Sequence, residues 1–261
     1  MKIINKKYNV DNKLNKKIVL ISDIHYKNKK DYKLLNKVLE KIKKINPDFI
    51  SIPGDTLDKS IIDDKKIIIN WFKELSKISK VIISIGNHEY YKNKRKKIFE
   101  LNTSFLNKLS KIKNIYVLNN ENVFIDNINF IGINLDIECY DEKEDYIKYY
   151  KYLDTLKLNK KHYNILLCHT PLNLCDGKIL NGKNINLELA GHTHGGVVPN
   201  FLRFIFKDRG FITPKNKILP RNVYGNIKIK NTDIIITSGI KVLSNKILNK
   251  LFNPEVVTIK I

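Results

Sequence analysis

Side chains of the kinds that bind metal ions stand at the ends of several short apolar runs. The chain has six histidines, and every one except His162 follows such a run closely. Together with two aspartates and an asparagine they form five groups: Asp23 with His25, Asp55, Asn87 with His88, His169, and His192 with His194. Carboxylates combined with neutral imidazoles suit Mn²⁺, Fe or Zn²⁺, whereas an all-oxygen set would suit Mg²⁺ or Ca²⁺. The pattern therefore predicts a site for divalent metal ions.

The spacing of these groups favours two ions. Asp23 and His25 are two residues apart, so on an extended segment both side chains point to one side and can chelate a single ion. The carboxylate of Asp55 can offer one oxygen to each of two ions, held ~3.5–4 Å apart. Asn87 adds a neutral oxygen, and its amide can also donate to a phosphate oxygen. We predict two divalent cations, Mn²⁺ first, with Fe or Zn²⁺ as alternatives.

The segments before the ligand groups alternate between strand and helix patterns. Strands are predicted at 17–22, 48–52 and 81–85. Helices are predicted at 34–45, stopped by Pro47, and at 61–78, because apolar residues recur there with a period near 3.6. Ligands gather just beyond the carboxyl ends of strands in such sheets, which is where the groups stand. Glycines precede three site residues and permit close approach of the backbone: Gly54, Gly86 and Gly191.

From about Ile115 the strand candidates lie closer together. They are 114–118, 122–125, 127–133, 164–168, 186–190, 234–237 and 256–261. A second, more antiparallel sheet packed on the first would account for this half. The predicted fold class is therefore α/β, with two packed mixed β-sheets flanked by helices, in a single domain of residues 1–261.

The charge of the chain leaves two interpretations open. Its 261 residues include 48 Lys and Arg against 26 Asp and Glu, a formal net charge of +22. The excess is either a functional basic surface for anionic partners or the Lys, Asn and Ile bias of an AT-rich genome. It motivates an alternative function, a nucleic-acid-binding or nuclease-type protein that uses the same metal centre. We find no recognition module, so nucleic acid is not the expected partner.

Targeting signals are not evident. Residues 1–20 contain no apolar stretch long enough for a signal peptide, and the longest apolar runs elsewhere are too short to span a bilayer. Cys139, Cys168 and Cys175 are an odd set whose spacing indicates neither a disulfide framework nor a zinc knuckle. We therefore expect a cytoplasmic protein with reduced thiols.

In order and spacing, the ligand groups resemble the five blocks of the calcineurin-like metallophosphoesterase family. The matching residues are Asp23-Ile-His25, Gly54-Asp55, Gly86-Asn87-His88-Glu89, His169 and Gly191-His192-Thr193-His194. The resemblance implies that four residues bind the first metal: Asp23, His25, Asp55 and His194. It implies a second set of four for the other metal: Asp55, Asn87, His169 and His192. His88 would be a non-ligand histidine that stabilises the transition state or protonates the leaving group.

The expected reaction is attack on phosphorus by a hydroxide that bridges the two metals. The stretch from Gly191 to Gly196, with Ser238-Gly239-Ile240 later, looks like a bacterial phosphodiesterase branch of GHTHGG type that includes membrane-associated members. Some of these relatives hydrolyse the pyrophosphate bond of UDP-diacylglucosamine. The expected substrate is a phosphodiester, a pyrophosphate-linked small molecule or a lipid-linked phosphate. Lys59 replaces an Arg typical of protein serine/threonine phosphatases, so that activity is not expected.

Three further expectations concern single residues and one segment. Glu89 should begin a helix or support the site rather than catalyse, and His162 should be solvated. The stretch 197–213 interleaves aromatic and basic residues. As a helix it would turn four apolar side chains away from Arg203 and Lys207: Phe201, Leu202, Ile205 and Phe206. They either cover the second sheet or form a rim that receives an acyl chain or rests on an anionic membrane, at the inner membrane face.

Overall fold

The computed structural model describes residues 2–10, 13–59, 65–93, 96, 98–140, 158, 161–171, 184–214, 218–242 and 248–261. The strands are β1 Ile4–Asn9, β2 Lys17–Leu20, β3 Phe49–Pro53, β4 Lys80–Ser84, β5 Tyr90–Asn93, β6 Ile98–Leu101, β7 Ile115–Val117, β8 Glu121–Ile125, β9 Ile128–Ile133, β10 Tyr163–Cys168, β11 Leu187–Ala190, β12 Gly225–Ile229, β13 Thr232–Ile236 and β14 Glu255–Lys260. The longer helices are α1 Tyr32–Ile45, α2 Lys66–Ile78 and α3 Thr103–Ser110. Every helix in the described ranges is too short or too polar to cross a lipid bilayer.

The first sheet has the order β1-β14-β2-β3-β4-β7. Its strands run parallel except where β14 meets β2. One face is covered by α1, α2 and α3, whose apolar residues pack against Val19, Ile50 and Val81 of the strands. Strand and helix alternate along the chain from β2 to β4, as the sequence predicts, because each helix returns the chain to start a parallel neighbour.

Helix α1 forms because its apolar residues recur at helical spacing. Those buried on one side are Leu35, Val38, Leu39 and Ile42. The helix ends at Asn46, whose φ of 49° is left-handed and whose N–H donates to the Ile42 carbonyl. Trp71 of α2 donates its indole N–H to the Leu35 carbonyl at 2.8 Å, which joins the two helices.

The second sheet has the order β12-β13-β11-β10-β9-β8. Its four central strands are parallel, and the pairings are antiparallel only at the two edges. Its inner face packs against that of the first sheet, for example where the rings of Phe49 and Phe130 lie 5.0 Å apart. Side chains from both sheets leave water there, so apolar burial holds the two layers together. Two mixed sheets with helices confirm the predicted fold class.

Two predicted strands of the second half belong to the first sheet instead. β7 forms one of its edges, and β14 lies between β1 and β2. The strand pattern identifies each segment as a strand but carries no information about distant pairing partners. The edge strand β1 and the β5–β6 hairpin were not predicted, because their exposed positions lack a continuous apolar run. The extent of a single domain over residues 1–261 stays a prediction.

Candidate metal centre

The predicted ligand groups follow the carboxyl ends of five strands. In the first sheet, β2 leads to Asp23, β3 to Asp55 and β4 to Asn87. In the second sheet, β10 leads to His169 and β11 to His192. Hydrogen bonds join the loops, including one that the backbone N–H of His192 donates to the side-chain carboxylate of Asp23 at 3.3 Å. The carboxyl ends of both sheets therefore meet at one place, as the sequence pattern requires.

Nitrogen and oxygen atoms of these residues converge. The Nε2 atom of His169 lies 3.0 Å from Asp55 Oδ2 and 3.8 Å from Asp23 Oδ1. The Nε2 atom of His25 lies 3.7 Å from Asp55 Oδ2 and 3.8 Å from Asp23 Oδ1. The Nε2 atom of His194 lies 3.9 Å from Asp23 Oδ1. Two carboxylates thus stand at the centre, with three imidazoles around them.

These atoms form three groups, in each of which one ligand atom per residue lies within 4.8 Å of the others. The groups are Asp23 with His25 and His194, His25 with Asp55 and His88, and Asp23 with Asp55 and His169. Each aspartate belongs to two groups, so one carboxylate can serve two neighbouring positions. His192 lies outside the groups, and its ring packs against His169 with centroids 5.0 Å apart.

Asn87 supplies an independent test of whether the site fits a cation. Its Oδ1 atom is buried and accepts no hydrogen bond from the described part of the chain. A buried acceptor without a partner costs about 1–3 kcal/mol. A divalent cation would satisfy this oxygen, and carboxylate, amide and imidazole together form a donor set that transition metals accept. The residues present fit a metal centre.

The backbone at the site is left-handed at five of the predicted ligands. Positive φ values occur at Asp23 (51°), His25 (46°), Asp55 (53°), His192 (63°) and His194 (48°). The expected extended alternation of Asp23 and His25 is therefore wrong, since the backbone is left-handed at both residues. Such conformations each cost about 1–3 kcal/mol and persist only where surrounding contacts enforce them. Here, the amide of His25 donates to the Asp55 carbonyl at 3.1 Å.

Two of the predicted glycines allow the aspartates to come close. A Cβ atom at Gly86 would overlap Asp55 Oδ1, and one at Gly191 would overlap Asp23 Oδ2. The backbone at Gly86 and Gly191 is therefore closely approached by other atoms. These atoms are the side-chain oxygens of Asp55 and Asp23.

Asp55 and His169 form a buried pair with the shortest distance in the cluster, 3.0 Å between Nε2 and Oδ2. Burial acts to raise the pKa of Asp55, but His169 and His88 outweigh it and hold that pKa well below its usual value. Burial acts to lower the pKa of His169, but Asp55 outweighs it and raises the pKa to about 9. The Nδ1 atom of His169 lies 2.7 Å from the carbonyl of Pro53, so it carries a proton and leaves Nε2 to face the carboxylate.

His88 occupies a more open position at the same cluster. Its Nε2 atom lies 3.9 Å from Asp55 Oδ2, and its side chain is 26% exposed, whereas that of His169 is fully buried. Burial lowers the pKa of His88, which Asp55 opposes. The amide of Lys59 donates to its Nδ1 at 3.4 Å. A neutral His88 therefore carries its proton on Nε2, directed toward the cluster.

A sequence model described as calcineurin-like phosphoesterase matches residues 16–196, a range that contains all five ligand groups. The chain belongs to the calcineurin-like phosphoesterase family. The family resemblance in the sequence is thereby confirmed, whereas the bacterial phosphodiesterase branch stays a prediction.

Some relatives are much longer than this chain, and others are close to it in length. An uncharacterised metallophosphoesterase of Campylobacter jejuni is 29% identical over 200 residues, which make up 75% of this chain and 48% of that protein. One of Aquifex aeolicus is 30% identical over 206 residues, 74% of this chain and 70% of that protein. The chain spans about half the length of the Campylobacter relative. The solved NAD nucleotidase of Haemophilus influenzae has a TM-score of 0.51 at 14% identity, covering 86% of this chain and 45% of that one, which shows a shared fold.

Glu89 joins two loops of this phosphoesterase site. Its buried carboxylate accepts hydrogen bonds from the amides of Asp55 (3.0 Å), Thr56 (2.7 Å) and Gly86 (2.8 Å). It also accepts one from the Thr56 hydroxyl at 2.6 Å. Burial, followed by the charge of Asp55, raises its pKa. Glu89 closes the short 3₁₀ helix that begins at Asn87, so it supports the site as expected and does not face the cluster directly.

We expect Glu89→Ala to weaken metal binding and stability together. Loss of a residue that orients metal ligands typically costs ~10–100-fold in metal affinity. Each buried amide left without an acceptor costs about 1–3 kcal/mol in the free energy of unfolding. Metal titration and urea unfolding measure the two effects, and Glu40→Ala, which changes an exposed glutamate of α1, is the control. Unchanged metal affinity in folded Glu89→Ala would contradict the positioning role.

Lys241 is a site residue that the sequence analysis missed. Its Nζ atom donates to the His25 carbonyl at 2.7 Å and pairs with Asp31 at 2.7 Å. Its amide donates to the Asp23 carbonyl at 3.0 Å. Burial lowers its pKa, which Asp31 opposes. Lys241 directly follows Ser238-Gly239-Ile240, a stretch that resembles the bacterial phosphodiesterase branch, and this position could have indicated it. The sequence does not show that this stretch contacts the loop of Asp23 and His25.

His162, Cys139 and Cys168 lie outside the cluster of predicted ligands. His162 is half-buried rather than solvated, and its ring lies 4.9 Å from that of Phe124. Cys139 and Cys168 are buried, and neither forms a disulfide within the described residues. Cys175 lies outside the described residues.

Proposed function

We propose that this chain is a metal-dependent phosphoesterase that hydrolyses a phosphate ester with two divalent cations. The observation that carries the proposal is the position of Asp55, which belongs to two of the three groups of candidate metal ligands. Its carboxylate faces His25 in one group and His169 in the other. A carboxylate placed between two sets of donors is the ligand that can bridge two cations. Family membership supports the same reaction class.

In the proposed centre, one cation would be held by four residues: Asp23, His25, Asp55 and His194. The other would be held by Asp55, Asn87, His169 and His192. Bound cations would lower the pKa of a water molecule and neutralise charge that develops on the phosphate. Mn²⁺ is the proposed metal, with Fe or Zn²⁺ as alternatives, because imidazole and carboxylate ligands are mixed.

The protein's own groups have separate tasks in this reaction. The carbonyl of Pro53 fixes the tautomer of His169, and Glu89 fixes the two loops that carry Asp55 and Asn87. His88 would donate its Nε2 proton to a phosphate oxygen or to the leaving group, since its other nitrogen accepts from the Lys59 amide. We find no need for a covalent phosphoenzyme in this scheme.

The proposed substrate is a phosphodiester, a pyrophosphate-linked small molecule or a lipid-linked phosphate. It rests on the similarity of Gly191–Gly196 to the bacterial phosphodiesterase branch. The proposed location is cytoplasmic, with peripheral membrane contact included.

The test is a substrate panel measured with defined metals. We expect exhaustive chelation to abolish hydrolysis of aryl phosphodiesters, and added Mn²⁺ to restore it, because the proposed attack on phosphorus depends on bound cations that would lower the pKa of water. Full activity after verified metal removal would contradict the proposal. Salt-dependent retention of DNA or RNA without hydrolysis of any panel member would favour the nucleic-acid alternative instead.

A further inference from the structure

Exposed apolar side chains are concentrated beside the metal centre. Within the described ranges, twelve large apolar side chains are exposed, and seven of them lie at 201–219 and 251. We name these seven the apolar rim: Phe201, Phe204, Ile205, Ile212, Ile218, Leu219 and Leu251. Phe204 is 76% exposed and Ile218 is 80% exposed, so packing on the second sheet does not account for them. Contiguous apolar surface of this kind marks an interaction site.

Contacts between chain segments join the members of the rim. The side-chain amide of Asn200 donates to the Leu251 carbonyl at 3.1 Å. Ile212 pairs with Ile218 in an antiparallel bridge, and the Leu219 amide donates to the Phe211 carbonyl at 3.0 Å. The rings of Phe206 and Phe211 lie 4.4 Å apart and connect this bridge to the short helix Arg203–Phe206. The rim is therefore one surface made from three parts of the chain.

The backbone beneath the rim is anchored to the metal centre. Arg203, which the helical pattern places away from the apolar groups, turns inward. Its guanidinium lies 4.1 Å from the ring centre of Tyr224 and donates to the Gly195 carbonyl at 2.5 Å. Gly195 directly follows His194, so the helix that carries Phe204 and Ile205 is tied by Arg203 to the residue next to a predicted ligand.

Charges around the rim favour an anionic partner. Residues 197–224 contain six Lys and Arg and one acidic residue, Asp208. Asp208 accepts a hydrogen bond from the Asn222 amide at 3.3 Å. Cations, in contrast, stand exposed beside the apolar groups: Lys207, Arg209, Arg221 and Lys250. Segments that lie at the surface of an acidic bilayer have this composition, with Phe, Ile and Leu flanked by exposed basic side chains.

We propose that the apolar rim inserts into the surface of an anionic lipid membrane. Its apolar side chains would leave water among the acyl chains, while Arg209 and its basic neighbours meet the headgroups. This deepens the proposed function by naming the surface that makes the peripheral membrane contact. It rests on that function only where it implies that a lipid-linked phosphate can reach the metal centre from the membrane.

Vesicle sedimentation tests the proposal without measuring hydrolysis. We expect the protein to bind vesicles of phosphatidylcholine with added phosphatidylglycerol, and to bind phosphatidylcholine alone much more weakly. Phe204→Ser/Ile205→Ser should bind roughly tenfold more weakly or worse, because two large apolar side chains no longer leave water. Arg209→Gln should weaken binding to the anionic vesicles about fivefold.

The matched control is Ile98→Ser/Phe99→Ser, which removes the same two side-chain types from exposed positions in β6. It should bind vesicles like the wild type. Circular dichroism verifies that all variants are folded. The proposal is overturned if the wild type does not bind anionic vesicles at low salt. It is also overturned if the rim variant and the β6 control variant lose vesicle binding to the same extent. Light scattering that shows the rim variant alone losing self-association, with no vesicle binding, assigns the surface to a second copy and overturns it as well.

Because binding is the readout, Asp55→Asn should bind vesicles as well as the wild type. A protein that binds vesicles but hydrolyses nothing would refute the proposed function alone. A metal-dependent hydrolase that ignores vesicles would refute the membrane proposal alone.

Discussion

Replacing Asp55 by Asn should remove both metal and activity. The side chain faces His25 at 3.7 Å and His169 at 3.0 Å, so its negative charge serves both proposed cation positions. An amide keeps the shape but lacks the charge and offers one oxygen instead of two. We expect loss of at least one metal ion per chain and a rate loss larger than the ~10²–10⁴-fold of a missing general acid. Metal analysis and hydrolysis assays on the same sample measure both.

The backbone makes this substitution a clean test. Asp55 has a φ of 53°, and Asn tolerates the left-handed conformation as Asp does. Asp126→Asn is the matched control, since Asp126 has a φ of 50° and pairs with Lys80 at 3.1 Å on the surface. It should keep full metal content and rate. Metal content in Asp55→Asn equal to that of the control would refute the bridging assignment.

The sequence was sufficient to place the predicted ligand groups at the ends of strands. Short apolar runs indicate where strands stop, and parallel strands bring their carboxyl ends to one edge. Two such edges meet here, one from each sheet, so residues as distant as Asp23 and His194 become neighbours. The alternation of strand and helix was enough to predict this arrangement without knowing the pairing order.

The loop conformations were beyond the sequence because distant contacts impose them. Asp23 and His25 have left-handed φ values, and Lys241 donates a hydrogen bond from Nζ to the carbonyl of His25. Lys241 is 216 residues from His25 in the chain. No local pattern predicts such a partner. The same reason explains β14, whose neighbours β1 and β2 lie at the other end of the chain. Arg203 faces inward toward the Tyr224 ring and the Gly195 carbonyl, and no local pattern indicates that Tyr224 lies there.

Replacing His88 by Asn should slow turnover while both metals stay bound. Geometry alone would admit His88 as a ligand, since its nitrogen lies near His25 and Asp55. Its partial exposure and its orientation by the Lys59 amide favour a proton donor to substrate instead. We expect a rate loss of ~10²–10⁴-fold with unchanged metal content. His162→Asn, a histidine beside Phe124 and outside the cluster, is the control and should leave the rate unchanged. If His88→Asn lost metal to the same extent as Asp55→Asn, His88 would be a ligand, and proton donation to the leaving group would need another residue.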